Sequence, residues 1–259
     1  MRSFYVPAGR GRFVPSPWTA GPWNSHSQHG GPPAALLARA VEALVPDDTP
    51  LLVGRFTMEL LGPVPLTALR VEASVVRPGR SVRMCEATLL DDERGRVCAR
   101  ATAWLFPETS DGPGDAGSPP AHRPCDGVGK EPPAGWSRGY LDAVEWRWVR
   151  GAVTEPGPGV VWMRPRVDLV DGETMSPVQR LMACVDSASG VSAALDPAQW
   201  GFVNTELTVH LLRRPVGEWV CLDAETTLGP GSLGTAVSRV YDEQGLVARS
   251  AQALLLRRH

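Results

Sequence analysis

Asp186 is the residue whose type and position most clearly offer chemistry. It lies in the stretch 176–194, SPVQRLMACVDSASGVSAA. That stretch opens as a helix should: Ser176 as N-cap, Pro177 at the first helical position, and Gln179 completing a capping box. Val178, Leu181, Met182 and Val185 recur at helical spacing, so one face is apolar. Asp186 follows Met182 by four residues and falls on that face. A carboxylate there is costly to bury without partners. It is either a structural aspartate that bonds backbone near a helix end or a group kept for function.

A second candidate precedes another helix. His29-Gly30-Gly31-Pro32-Pro33 leads into a helical pattern at about 34–45, stopped near Pro46. The glycines fall where backbone N–H groups are free and the helix dipole favours negative charge. The competing reading is that they only let the chain turn. Other motifs carry less. Ser232 has Pro230 where a nucleophile elbow needs glycine, and no phosphate-binding GxxxxGK[ST] loop is present. His26 and His29 are a close pair without a third ligand nearby, so no metal is expected. Cys184 has no evident base and reads as a small buried hydrophobe.

The elements that must position these groups come in two copies. Val71–Asp91, VEASVVRPGRSVRMCEATLLD, parallels Leu222–Asp242, LDAETTLGPGSLGTAVSRVYD. After a one-residue gap at the turn, GRVCARATAWLF at 95–106 parallels GLVARSAQALLL at 245–256. Upstream, Pro33 to Leu37 aligns with Pro177 to Leu181, which sets Glu42 opposite Asp186. The strand RFTMELL at 55–61 has its partner in ELTVHLL at 206–212. Each half therefore reads helix, strand, then antiparallel meander. One long repeat indicates a duplicated domain rather than a solenoid.

The domains are expected at 1–106, including an N-terminal arm, and at 136–259. A Pro/Gly-rich linker at 107–135 joins them, nearly free of large apolar residues and expected to be mobile. Strands are expected at 53–61, 68–77, 81–91 and 96–106 in the first half, with the arginines of RVCARA on a solvated face. The tryptophans of the arm suggest an ordered segment lying over a surface. Val144, Trp146 and Trp148 alternate with Glu145 and Arg147, a strand whose rings either pack a core or line an acyl pocket.

Composition narrows the class. The chain has 259 residues, 43% of them hydrophobic, which suffices for a real core. A net charge of −2 gives no nucleic-acid or anionic-membrane signal. No apolar run approaches a membrane span, and the N-terminus lacks a signal-peptide segment. Five scattered cysteines without a C-x-x-C pair read as reduced thiols in a cytoplasmic protein.

Taken together, HGGPPAALLARA in the first half and ACVDSASG, FVNTELTVHLLRRP and GLVARSAQALLLR in the second resemble a known family. The chain is similar to the double-hotdog acyl-CoA thioesterases of the bacterial thioesterase II type over nearly its whole length. The resemblance implies an α+β fold, a double hotdog in which each antiparallel sheet wraps a helix. It implies a hydrolase that attacks an acyl-CoA or acyl-carrier thioester with water, without a cofactor. In that family an aspartate, a hydroxyl residue and a glutamine hold the water. These positions fall on Asp186, on Asn204 or Thr205, and on Gln252. Asn204 keeps the strand in register, and an asparagine there departs from the family's hydroxyl. His29, Gly30 and Gly31 fall at the oxyanion and substrate-binding position, with a backbone N–H near Gly31 as donor.

The alignment also predicts asymmetry. Opposite Asp186 and Gln252 stand Glu42 and Thr102; opposite Gly30 and Gly31 stand Thr174 and Met175. One working site per chain is expected. Two other functions compete: an acyl-ligand binder without turnover, and a dehydratase or hydratase using His29 and Asp186 as its acid/base pair. Open sheet edges invite pairing, so a homodimer is the assembly to test for.

Overall fold

In the computed structural model the described residues are 2–23, 26–46, 50–79, 81–109, 112, 114 and 117–259. The first half runs β1 (Ser3–Pro7), β2 (Arg12–Pro15), α1 (Gly31–Glu42), β3 (Leu51–Leu60), β4 (Leu69–Arg77), β5 (Arg83–Asp91) and β6 (Arg96–Pro107). The second begins with the short α2 (Gly139–Ala143) and the pair β7 (Val144–Ala152) and β8 (Glu155–Pro165). It continues through β9 (Asp168–Val170), α3 (Pro177–Val185), α4 (Ala188–Val191), β10 (Trp200–Asn204) and β11 (Glu206–Leu211). It ends on β12 (Val220–Leu228), β13 (Leu233–Tyr241) and β14 (Leu246–Arg258).

Among the described residues all strands join one sheet, in the order β7-β8-β12-β13-β14-β11-β3-β6-β5-β4-β2-β1-β9, with β10 also on β14. From β8 to β2 this order is a palindrome of equivalent strands, its centre the antiparallel pairing of β11 with β3. Helix α1 lies on β4, β5 and β6, α3 lies on β8 and β12, and the two helices pack against each other. This is the expected double hotdog. The repeat extends further than the alignment suggested, because β1–β2 and β7–β8 are equivalent leading hairpins. Their strands differ in length, which hid the match.

The alternation of β14 shows why the sheet curls around the helices. Ala248, Ser250, Gln252, Leu254 and Leu256 point inward and are buried or nearly so, while Arg249, Ala253, Leu255 and Arg257 face out. The arm is ordered as expected: Phe4, Tyr5 and Phe13 are buried, β1 pairs in parallel with β9, and β2 pairs with β4. The described part of 107–135, expected as a linker, makes backbone contacts with the second half. Val128 exchanges two backbone hydrogen bonds with Trp148, and the Ser118 carbonyl accepts from the Leu246 N–H. The free edge of β7 supplies the partner of Val128, and the start of β14 supplies that of Ser118. Helix α1 begins at Gly31, earlier than expected, because prolines suit a first turn whose N–H groups have no intrahelical acceptor. No helix of the described residues is long and apolar enough to cross a membrane.

Candidate functional site

The capping box closes as read: Ser176 Oγ accepts from the Gln179 N–H, and Gln179 Oε1 accepts from the Ser176 N–H. Buried Val178, Leu181, Met182 and Val185 then carry α3 inward and deliver Asp186 as its C-cap. Asp186 is 6% exposed. Its carboxylate reaches the start of α1, so the two helices run antiparallel with each C-terminus at the other's N-terminus.

At that N-terminus the glycines permit close approach. Neither has a positive φ. A Cβ on Gly30 would stand 2.6 Å from Asp186 Oδ2, and one on Gly31 would stand 2.3 Å from the Ala183 carbonyl oxygen. The turn reading therefore falls. Pro32 and Pro33 lack N–H groups, which leaves Gly31 as the first-turn donor. Its N–H points to His29 Nδ1 at 3.0 Å. That nitrogen also lies 3.4 Å from Asp186 Oδ2. Burial lowers the His29 pKa and the nearby Asp186 charge raises it, with burial the larger effect. A neutral ring that accepts at Nδ1 carries its proton on Nε2.

Asn204 and Gln252 come from neighbouring strands. Asn204 pairs with Leu254, while Thr208 pairs with Ala251, so β10–β11 holds one more residue than β14 between those pairs. This bulge separates the two strands at Thr205 and turns Asn204 inward. Asn204 Nδ2 donates to Asp186 Oδ1 at 2.8 Å. Thr205 is the exposed bulge residue; its N–H goes to the Ala253 carbonyl. Of the two alternatives, the structure brings Asn204 to Asp186. Gln252 is fully buried and its Nε2 donates to both the Asp186 carbonyl (3.0 Å) and Asp186 Oδ1 (3.2 Å). Its Oε1 accepts from the Ser189 N–H, which fixes the amide's orientation.

The equivalent place in the first half is spent on structure. Glu42 accepts from Ser176 Oγ at 2.9 Å and from Gln179 Nε2 at 2.7 Å, so it is tied into the capping box of α3. Burial raises its pKa, and the two hydrogen bonds oppose that. Gly54 sits in a matching bulge of β3, where Val53 pairs with Leu105 and Arg55 with Trp104. The register makes Val53 the counterpart of Asn204. It also corrects the alignment: Thr57–Thr102 and Thr208–Ala251 are equivalent pairs, so Gln252 corresponds to Ala103 and not to Thr102. Thr102 sits on the other face and accepts from Arg55. A slip of one residue exchanges the faces of a strand.

Tyr140 was not visible as a site residue. It is fully buried, and its ring stacks on His29 with centroids 3.7 Å apart and planes 5° from parallel. Its hydroxyl donates to the Ala183 carbonyl at 2.6 Å and lies 3.1 Å from Ser187 Oγ. A lone tyrosine after a Pro/Gly-rich stretch carries no periodic or motif signal.

The remaining candidates are inert or distant. Burial pushes the Cys184 thiol up to about 12, which suits a hydrophobe and not a nucleophile. Among the described residues no three His, Cys, Asp or Glu side chains are placed to hold a metal. Trp148 and Trp162 are buried in the core, whereas Trp146 is half-buried. Trp146 and Trp148 border a cavity of about 280 Å³ beside residues 129–133; neither Asp186, Asn204 nor Gln252 lines it.

Comparison with known proteins agrees with this architecture. Residues 19–106 match the family model described as acyl-CoA thioesterase N-terminal domain, and residues 118–256 match the acyl-CoA thioesterase C-terminal domain. A search of curated proteins gives no match. A solved structure assigned as a thioesterase II from Thermobifida fusca YX aligns with a TM-score of 0.78 at 19% identity, covering 100% of this chain and 98% of that one. A hot dog fold protein of unknown function from Alicyclobacillus acidocaldarius aligns at 0.75 and 20% identity, covering 98% and 95%. An acyl-CoA thioesterase II from Mycobacterium marinum aligns at 0.66 and 16% identity, covering 98% and 96%. At such identities these structures speak for the fold.

Proposed function

Because the chain belongs to the acyl-CoA thioesterase family, we propose that Asp186 is the base that activates water for attack on an acyl-CoA carbonyl, in one working site that both halves build. The observation that carries this reading is the carboxylate itself. Asp186 Oδ1 is held by two amide donors, and Oδ2 faces His29 and Gly30 at the start of α1.

The attacking water gives a proton to Asp186 as its oxygen bonds the carbonyl carbon. Negative charge develops on the carbonyl oxygen and needs a preorganised donor. The Gly31 N–H, at the positive end of α1, is that donor. In the resting site it is occupied by His29 Nδ1. An oxyanion is the stronger acceptor and takes the N–H from the neutral ring. The C–S bond then breaks, the proton passes to the departing thiolate, and a carboxylic acid and a free thiol remain.

Asn204 and Gln252 position the base in this scheme rather than binding the water directly. In this scheme the acyl carrier is coenzyme A, in keeping with the family descriptions.

The test is thiol release from a panel of acyl-CoAs by wild type and Asp186→Ala. Wild type turns over at least one member, and the variant loses about a hundredfold or more. Full activity in the variant removes Asp186 as base. A wild type that binds acyl-CoAs without releasing thiol makes the chain an acyl-ligand binder.

A further inference from the structure

We propose that Tyr140 is a positioning residue that sets the spacing between the base Asp186 and the donor Gly31, an inference that rests on the site reading above. Its contacts form a closed loop. The Tyr140 hydroxyl bonds the Ala183 carbonyl, and Gly31 packs directly on that same carbonyl. The Tyr140 ring lies flat on His29, whose Nδ1 accepts the Gly31 N–H. One side chain thus fixes both surfaces between which the donor is held.

The backbone holds this arrangement from adjacent positions. The His29 N–H donates to the Thr19 carbonyl and the Tyr140 N–H to the Ala20 carbonyl, both at 2.9 Å. The two rings are therefore registered by consecutive peptide units of the arm. Gly139 permits this docking, since a Cβ there would stand 2.6 Å from the Pro17 carbonyl oxygen. Ala183 is in the last turn of α3, where carbonyls lack intrahelical donors. Tyr140 satisfies one such carbonyl and Gln252 satisfies that of Asp186. The end of α3 that carries the base is thus bonded from two sides.

A merely structural tyrosine would share the burial and the hydrogen bond, but not the dependence of His29 and turnover on it. Two variants separate the cases. Tyr140→Phe keeps the ring and drops the hydroxyl; Tyr140→Leu drops both. Turnover and the ¹⁵N resonances of the His29 ring are read at a temperature well below unfolding. In Tyr140→Phe, kcat falls about tenfold while KM stays within about twofold, since misplacement alone slows the chemical step. His29 keeps its Nε2–H form in that variant. In Tyr140→Leu, kcat falls about a hundredfold and the His29 nitrogens show mixed tautomers.

Wild-type kcat in Tyr140→Phe overturns the proposal, as does a loss confined to KM, which would make Tyr140 a substrate contact. Tyr140→Leu with an unchanged His29 spectrum overturns it independently of any turnover. That readout separates its failure from a failure of the thioesterase site, which Asp186→Ala tests. If Tyr140→Leu does not fold, Tyr140→Phe decides.

Discussion

Asp186 and Glu42 end helices that occupy the same place in the two halves, and each carboxylate reaches the start of the other half's helix. Around Glu42 the start of α3 answers with a full capping box, and Ser176 and Gln179 both donate to the carboxylate. Around Asp186 the start of α1 has two glycines and two prolines; the N-cap Gly30 has no capping side chain, and the Gly31 N–H is held by the neutral His29 ring rather than by a capping box. The strands differ in the same sense. Asn204 and Gln252 turn amide donors toward Asp186, where the first half presents Val53 and Ala103. Duplication kept the backbone, bulge included, but not the side chains: one carboxylate is tied into a helix capping box, and the other is met by two amide donors, a histidine and a glycine.

The sharpest break of this comparison is Asp186→Asn beside Glu42→Gln. Thiol release falls about a hundredfold or more in the first and stays at the wild-type level in the second. Equal losses would mean two working sites. Gly30→Ala comes next: its Cβ would meet the Asp186 carboxylate at 2.6 Å, and a displacement of that kind costs about a hundredfold in kcat. Thermal unfolding of that variant shows whether the helix ends also part.

Gln252→Ala gives the second half the residue of the first. It leaves the Ser189 N–H and the Asp186 carbonyl without their partner, at about 1–3 kcal/mol for each buried group left unsatisfied, and kcat falls about tenfold. Thr102→Ala leaves kcat unchanged, because Thr102 lies on the opposite face of its strand. Asn204→Val against Thr205→Val sharpens the register: the first lowers kcat about tenfold, and the exposed second does not.

The smallest effect is on pH dependence. The folded-state pKa of His29 lies below its ordinary value of 6.5. As pH drops below that value, the unfolded chain takes up a proton that the folded chain refuses. Stability from this group is therefore full above about 6.5 and is lost as pH falls through the folded value. Chemical denaturation across that range, compared with His29→Gln, isolates it.

Much of this was legible before any coordinates. The capping box of α3 and the apolar face that carries Asp186 inward follow from local rules of spacing and capping, and the two-copy meander from the internal repeat. Gln252 and Asn204 were reached through family resemblance rather than through chemistry visible in their own segments. Tyr140 was missed because its partners lie 43 and 47 residues away in the chain for the hydroxyl, and across the arm for the ring. The Thr102 assignment failed for a smaller reason. Sequence identity cannot weigh one residue more or less in a turn, yet a strand reverses its faces with every residue.

By itself, then, the sequence determined the duplication, the helix that presents the carboxylate, and the glycines at the opposing helix. The helix and the glycines depend on neighbours within a turn or two of chain, and the duplication is read by matching residue types along the two halves. Tertiary structure alone decided what the glycines are for, which strand position opposes Gln252, and which junction is tied up by hydrogen bonds. Each of those is a question of contact between segments far apart in sequence. Such contacts are set by close packing and strand register, and an error of one residue or a single added Cβ is enough to change the answer.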